Sequence, residues 1–308
     1  MKIGIAGAGA VGGYFGAYLK QAGHDVVFLA RGKHLEAMKQ SGLTIIENHD
    51  ERMTIHGVFT EDLSSFLDAS LILFCVKSPD TRATAEQIKS LGNDDSIILT
   101  LQNGVDNEEI LIDIFGEERV LSAATYISSH VEKPGVIKQE GVVKLIIGAL
   151  HEAGVPTCQQ IADVLNEANI DTAMSDSIME SKWKKVLWNA TFNPLAALSQ
   201  ATVGEILDDE ELRMTAEQVC REVLAVANKN GIPLGEKMLD VTFKKAEFAR
   251  GHKPSMLQDR LHGKQMEIES LSGYFVKKGR ELSVETPATQ ALYSNLLFIE
   301  NGQHVVKR

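Results

Sequence analysis

The feature that most constrains this chain is a glycine-spaced turn directly after its first apolar run. Ile3-Gly4-Ile5-Ala6 leads into Gly7-Ala8-Gly9-Ala10-Val11-Gly12, and an amphipathic stretch, Tyr14–Gln21, follows. A strand that turns abruptly into a helix needs glycines at this spacing. Gly7 makes the tight turn, Gly9 lets backbone come close to a ligand, and Gly12 lets the helix pack against its own strand. The spacing alone is common in turns. Here a strand precedes it, a helical pattern follows, and a second apolar run, Val26–Leu29, completes a unit of βαβ length. Gly7, Ala8, Gly9, Ala10, Val11 and Gly12 are therefore expected to hold a dinucleotide pyrophosphate on the helix N-terminus.

The alternation continues. Leu71–Val76, Ile97–Leu101 and Val120–Thr125 are apolar runs, separated by helical patterns at His34–Gln40, Thr81–Ser90 and Glu108–Phe115. This predicts an α/β, Rossmann-type doubly wound parallel sheet. Val136–Gln139 and Val142–Ile147 flank Gly141 and are read as a hairpin that closes the sheet antiparallel. Pro156 starts a helix through Asn166, and Ile170–Met174 is read as a last strand. Beyond Asp176 the period changes to helical, over Ile178–Thr191, Asp209–Asn230, Lys237–Arg250, Ser255–Gly279 and Thr286–Asn301. The expected domains are 1–175, dinucleotide-binding, and 176–308, mainly α-helical and carrying the chemistry. A catalytic cleft would then open at the carboxyl ends of the strands.

Charge and cysteine usage exclude several classes. A net charge of −11 over 308 residues disfavours nonspecific binding to nucleic acid or to an anionic membrane. Cys75, Cys158 and Cys220 lack metal-ligand or redox spacing, so free thiols, no metal and a cytoplasmic setting are expected. The start of the chain does not read as a secretory signal, and no apolar stretch is long enough to span a bilayer.

Residues at the strand ends extend the cofactor site. An NAD site usually carries an acid after the second strand, to hold the ribose 2′-hydroxyl. This chain has Ala30-Arg31, and a guanidinium there pairs with a 2′-phosphate, so NADP (as NADPH) is expected. Lys77 follows Phe74-Cys75-Val76, and Asn103 follows the next strand, so a cation and a carboxamide face the same side. Ser129, beyond the following strand, is a further candidate for that crevice.

In the helical half, Lys185, Asn189 and Asn193 lie at i, i+4 and i+8, on one helix face. Asparagine is a poor interior helix residue, so two in register with a lysine, among Trp and Phe, point to a polar site. Lys182 and Lys184 are read as solvated.

With these residues in hand, the chain resembles the ketopantoate reductase (2-dehydropantoate 2-reductase) family along its whole length. The resemblance rests on the glycine loop, Val76-Lys77-Ser78, Gln102-Asn103-Gly104 and the Lys185 to Leu195 segment. Ser255-Met256-Leu257-Gln258-Asp259 with Glu267-Ile268-Glu269 matches the family's second signature. It implies Lys185 as proton donor and Glu267 as the glutamate near lysine and nicotinamide. Asn189, Asn193 and Ser255 would contact substrate, Lys77 would face the cofactor, and Asn103 would face the cofactor and also touch substrate. The implied reaction is NADPH-dependent reduction of a small-molecule 2-oxo acid, 2-dehydropantoate, in the pantothenate pathway. A homodimer is compatible with the resemblance. One position departs: Val203 stands where the family often has asparagine, which leaves other branched 2-oxo acids open. A 3-hydroxyacid dehydrogenase is disfavoured by the Ser255–Asp259 segment. A non-catalytic NADP sensor is disfavoured by Lys185 and Glu267.

Overall fold

The computed structural model describes residues 1–47 and 51–305, so the last three residues of the expected helical domain lie outside the described residues. Two compact units are present, Met1–Asn103 with Asn107–Ile178, and Gly104–Asp106 with Met179–Arg308.

The first unit is built on ten strands among the described residues. They are β1 (Lys2–Ala6), β2 (Asp25–Leu29), β3 (Leu43–Ile46), β4 (Arg52–Ile55), β5 (Val58–Thr60), β6 (Leu71–Phe74), β7 (Ile97–Thr100), β8 (Val120–Lys133), β9 (Val136–Ala149) and β10 (Thr172–Met174). Their order is β4-β3-β9-β8-β7-β6-β1-β2-β5, with β10 on β9. From β5 to β8 every pairing is parallel, which is the Rossmann arrangement with its reversal point between β1 and β6. The helices are α1 (Ala10–Gln21), α2 (Gly32–Ser41), α3 (Thr81–Ser90), α4 (Asn107–Phe115) and α5 (Val155–Glu167). Alternating side chains fill two cores. Ile3, Ile5, Leu71 and Leu73 enter one, while Ala6, Ile72, Phe74 and Ile98 enter the other. Burial on both faces is why these strands read as unbroken apolar runs.

The hairpin differs from the expectation. β8 and β9, fourteen residues each, turn at Pro134-Gly135 and not at Gly141. Proline presets the first turn position and Gly135, at φ +77°, takes the second. Gly141 lies within β9 at φ +78°, opposite a register shift between Tyr126 and Ser128, and so absorbs a bulge. Beyond the parallel core, β3 pairs parallel to β9, and β4 pairs antiparallel to β3.

The second unit contains α6 (Ile178–Ser199), α7 (Val203–Asp208), α8 (Glu210–Lys229), α9 (Lys237–Phe248), α10 (Ser255–Leu261), α11 (Tyr274–Leu282) and α12 (Pro287–Val305). α6 continues through Pro194, at the loss of the hydrogen bond an amide there would give to Ala190. The single helix expected over Ser255–Gly279 is broken. α10 ends before Gly263, at φ +62°, and a π-helical turn at Glu269–Gly273 precedes α11. α7 has a capping box, with Thr202 and Glu205 satisfying each other's backbone amides. Among the described residues no helix is long and apolar enough to cross a membrane.

Glu222, 3% exposed on α8, fixes the start of α12. Its carboxylate accepts from the amides of Ala288 (3.0 Å) and Thr289 (2.9 Å) and from the Thr289 hydroxyl (2.7 Å). A negative group at a helix N-terminus is favourable twice over, as acceptor and against the dipole. Glu222→Ala leaves those buried donors unpaired and should cost roughly 2–4 kcal/mol. Chemical unfolding of the full chain measures this, and a loss below ~0.5 kcal/mol would show that the cap is dispensable.

Candidate active site

The glycine loop meets the demands of its spacing. Gly7 has φ +101°, and a β-carbon there would lie 2.8 Å from the Val76 amide nitrogen. At Gly12 it would lie 2.2 Å from the Gly7 carbonyl oxygen. A side chain at Gly9 would instead project into open space. α1 starts without a capping side chain or an acid in its first turn among the described residues. Its leading N–H groups thus suit an anion. Ser129 Oγ is buried and has no hydrogen-bond partner among the described residues, so it too can take a ligand contact. These features fit a dinucleotide.

Strand order gathers the candidates of this unit. Arg31, the glycine loop, Lys77 and Asn103 follow β2, β1, β6 and β7, and Ser129 lies on β8, five neighbouring strands in sequence across the sheet. Arg31 is exposed and paired with Asp80 at 3.1 Å. Lys77 is exposed and Asn103 half-buried.

A buried carboxamide network fixes the Lys77 and Asn103 loops. Gln102 Nε2 donates to the Val76 carbonyl (2.9 Å) and to Thr81 Oγ1 (2.8 Å), while its Oε1 accepts from Thr100. Asn107 Nδ2 donates to the Asn103 carbonyl (2.8 Å), and its Oδ1 accepts from Thr81. The residues before Lys77 and at Asn103 are thereby tied to one set of polar groups. Sequence reading missed Asn107 and Thr81. A polar residue buried right after an apolar strand, as Gln102 is, was the available signal.

In the helical unit, α6 carries Lys185, Asn189 and Asn193 on one stripe. Lys182 belongs to it as well, at i−3 from Lys185. Lys184 is exposed and pairs with Glu180 at 2.5 Å, as a solvated lysine should. Lys182 is not solvated, being only 4% exposed. The helix turns it to the packed side that also holds Trp183 and Val186. Lys185 is pushed down from the ordinary lysine range to about 7, first by burial, then by the Lys182 charge, and Glu267 only partly offsets this. The carboxylate therefore lies close enough to act on the ammonium. Glu267 is buried just before the π-helical turn, with its carbonyl accepting from Leu271 (3.1 Å). One residue earlier, the Met266 amide donates to Glu300 (2.8 Å). π-helical turns are frequent at functional sites. Asn193, buried, reaches Ser255 Oγ at 3.4 Å, and Asn189 is half-buried. Val203 is in the hydrophobic core.

A Rossmann-type unit with a dinucleotide loop, and a helical unit with a desolvated lysine beside a glutamate, define a two-part dehydrogenase-like chain. Residues 3–152 match the family described as ketopantoate reductase PanE/ApbA, and residues 177–300 match its C-terminal counterpart. The chain belongs to the ketopantoate reductase family. It is 32% identical over 295 residues to a 2-dehydropantoate 2-reductase of Pyrococcus abyssi, covering 95% of this chain and 96% of that one. The crystal structure of a PanE/ApbA family ketopantoate reductase from Ralstonia eutropha superposes with a TM-score of 0.92 at 30% identity, covering 99% of this chain and 100% of that one. D-mandelate dehydrogenase in ternary complex with NADH and anilino(oxo)acetate superposes with a TM-score of 0.91 at 26% identity, over 99% and 100% of the two chains.

Gly12→Ala tests the loop. A methyl placed 2.2 Å from a backbone oxygen cannot be accommodated by rotating a side chain, so α1 must shift. The variant is expected to lose dinucleotide binding in a titration and to unfold at a lower temperature, whereas Gly9→Ala should fold normally.

Proposed function

We propose that this chain reduces 2-dehydropantoate to the 2-hydroxy acid with NADPH, Lys185 delivering the proton. The observation that carries this reading is Lys185, half-buried in register with Asn189 and Asn193 on α6 and lowered in pKa within the field of the buried Glu267, in a chain of this family. The nicotinamide supplies the hydride. The protein holds the pyrophosphate on Gly7–Gly12 and α1, with Lys77, Asn103 and Ser129 as further contacts to the dinucleotide. Arg31 takes the 2′-phosphate. Its bond to Asp80 is an exposed ion pair worth little, so a bidentate phosphate contact can replace it. As negative charge grows on the carbonyl oxygen, the Lys185 ammonium stabilises it and then donates a proton. Glu267 holds that ammonium, while Asn103, Asn189, Asn193 and Ser255 satisfy substrate polar groups without adding charge.

A second reading concerns the substrate alone. Val203 offers no polar group where the family often has asparagine, and one structural relative is a D-mandelate dehydrogenase bound to an aryl-substituted oxo acid. Both favour a 2-oxo acid with an apolar branch. NADPH and NADH oxidation, followed at 340 nm with 2-dehydropantoate and with aryl and alkyl 2-oxo acids, separates the two. Activity with none of them sinks both.

Two variants test the roles. Lys185 donates only when protonated, so the reductive rate should fall as pH rises through about 7. Lys185→Ala should bind cofactor yet turn over on the order of 10²-fold more slowly, without that limb. A normal profile in the variant would assign the proton to another group. Arg31→Asp should turn preference toward NADH by repelling the 2′-phosphate and accepting from the ribose hydroxyl. A wild type that uses both cofactors equally would remove that role from Arg31.

A further inference from the structure

His34, on α2, joins two segments far from it in sequence. Its Nδ1 lies 3.1 Å from the Gly135 amide nitrogen in the β8–β9 turn, and its Nε2 lies 3.1 Å from the Ala8 carbonyl in the glycine loop. The amide can only donate and the carbonyl can only accept. The ring is therefore neutral, with its proton on Nε2. Both partners are themselves anchored. The Ala8 amide donates to Leu29 at 2.7 Å, and the Gly135 carbonyl accepts from Thr44 at 2.9 Å. Ala8 is thus held through both its amide and its carbonyl, and that carbonyl shares a peptide plane with the Gly9 amide, just before the Ala10 and Val11 amides that begin α1.

We propose that His34 is a positioning residue for the dinucleotide, orienting the Ala8 peptide of the pyrophosphate loop by bridging it to the β8–β9 turn. This rests on the dinucleotide reading above, but on neither the choice of phosphate form nor the oxo acid. The groups bonded to the ring, the Ala8 carbonyl and the Gly135 amide, do not ionise. Burial draws the imidazole below its ordinary range, the Ala8 carbonyl opposes this, and no charged side chain among the described residues contributes. Protonation puts an N–H on Nδ1 against the Gly135 N–H, so the bridge is intact above the imidazole's titration and lost below it.

The test titrates NADPH and NADH into the full-length protein and measures turnover at saturating cofactor. His34→Ala should weaken binding of both dinucleotides roughly five- to tenfold, the loss of about one hydrogen bond, with kcat changed less than about twofold. His34→Gln offers one donor and one acceptor but does not titrate. It should recover part of the loss, and the wild-type advantage over it should shrink as pH falls through the imidazole's titration. ¹⁵N NMR of the wild-type ring, which needs no variant to fold, should report a bare Nδ1 and a protonated Nε2. A proton on Nδ1 at neutral pH overturns the proposal, as does His34→Ala binding both dinucleotides like wild type. A variant that loses kcat and affinity together, with no pH-dependent difference from His34→Gln, reduces His34 to a packing role. Wild type binding neither dinucleotide overturns the functional reading and this inference with it.

Discussion

The first unit depends on a strand that must turn within van der Waals reach of its neighbour. At Gly7 a side chain would collide with the backbone at Val76, and at Gly12 with the loop's own carbonyl. Only glycine lets α1 begin so close to the end of β1. Among the described residues no side chain caps the helix N-terminus, which leaves it available to an anion. The parallel order then makes use of the same edge. Each neighbouring strand ends on that side, so residues distant in sequence, Arg31, Lys77 and Asn103, come out in line. The Gln102–Thr81–Asn107 network is the supporting layer that keeps two of those ends from drifting.

In the second unit the governing balance is burial against charge. A lysine beside a carboxylate is ordinarily expected to hold its proton more tightly. Here desolvation is the larger effect, and a second lysine one turn away adds to it, so the outcome lies below the ordinary range. A value near 7 matches a group that both donates and accepts protons near neutrality. Lys182 adds to the desolvation that already sets this lysine apart from a simple ion pair. Removing its charge while keeping its bulk would let Glu267 count for more.

What could be read from the sequence followed from periodicity and from glycine chemistry. The five parallel runs from Ile3 to Thr125 were legible because strands buried on both faces are mostly apolar, their few polar residues, Thr100, Ser122 and Thr125, being hydrogen-bonded in the interior. β3, β4 and β5 were not. β4 and β5 are four and three residues long, and Arg52, Thr54 and Val58 are exposed, so no apolar run marks them, whereas Leu43, Ile45 and Ile46 of β3 are buried and that short apolar run was passed over. At the hairpin the right chemistry was assigned to the wrong glycine, since Gly135 and Gly141 both have positive φ and only pairing tells a turn from a bulge. The Lys185–Asn189–Asn193 stripe was visible from spacing alone. The burial of Lys182 was not, because a charged residue on a helix is by default solvated and only packing reverses that. His34 carried no signal either. Its partners are backbone groups 26 and 101 residues away, and side-chain patterns do not encode those.

On the function proposed above, position 203 would bear on selectivity through packing and not through an exposed contact. Val203 is not an exposed side chain that has lost a contact. It is the first residue of α7, fully buried, with its amide donating to the His252 carbonyl at 3.1 Å. Gly204 donates to Arg250 at 2.7 Å, so the start of α7 is docked on the segment that leads to Ser255. An asparagine introduced here would have to satisfy its carboxamide or bear the cost of burying it unpaired. Hydrogen-bonded selection is asymmetric: a site built to bond a hydroxyl strongly rejects substrates lacking one, while an apolar site discriminates only weakly against either. On the reading proposed above, a chain with valine at this position gives up the strong form of that selection. On that same reading, Asn103, Asn189, Asn193 and Ser255 are the polar groups left to contact the 2-oxo acid, and Val203 adds none to them.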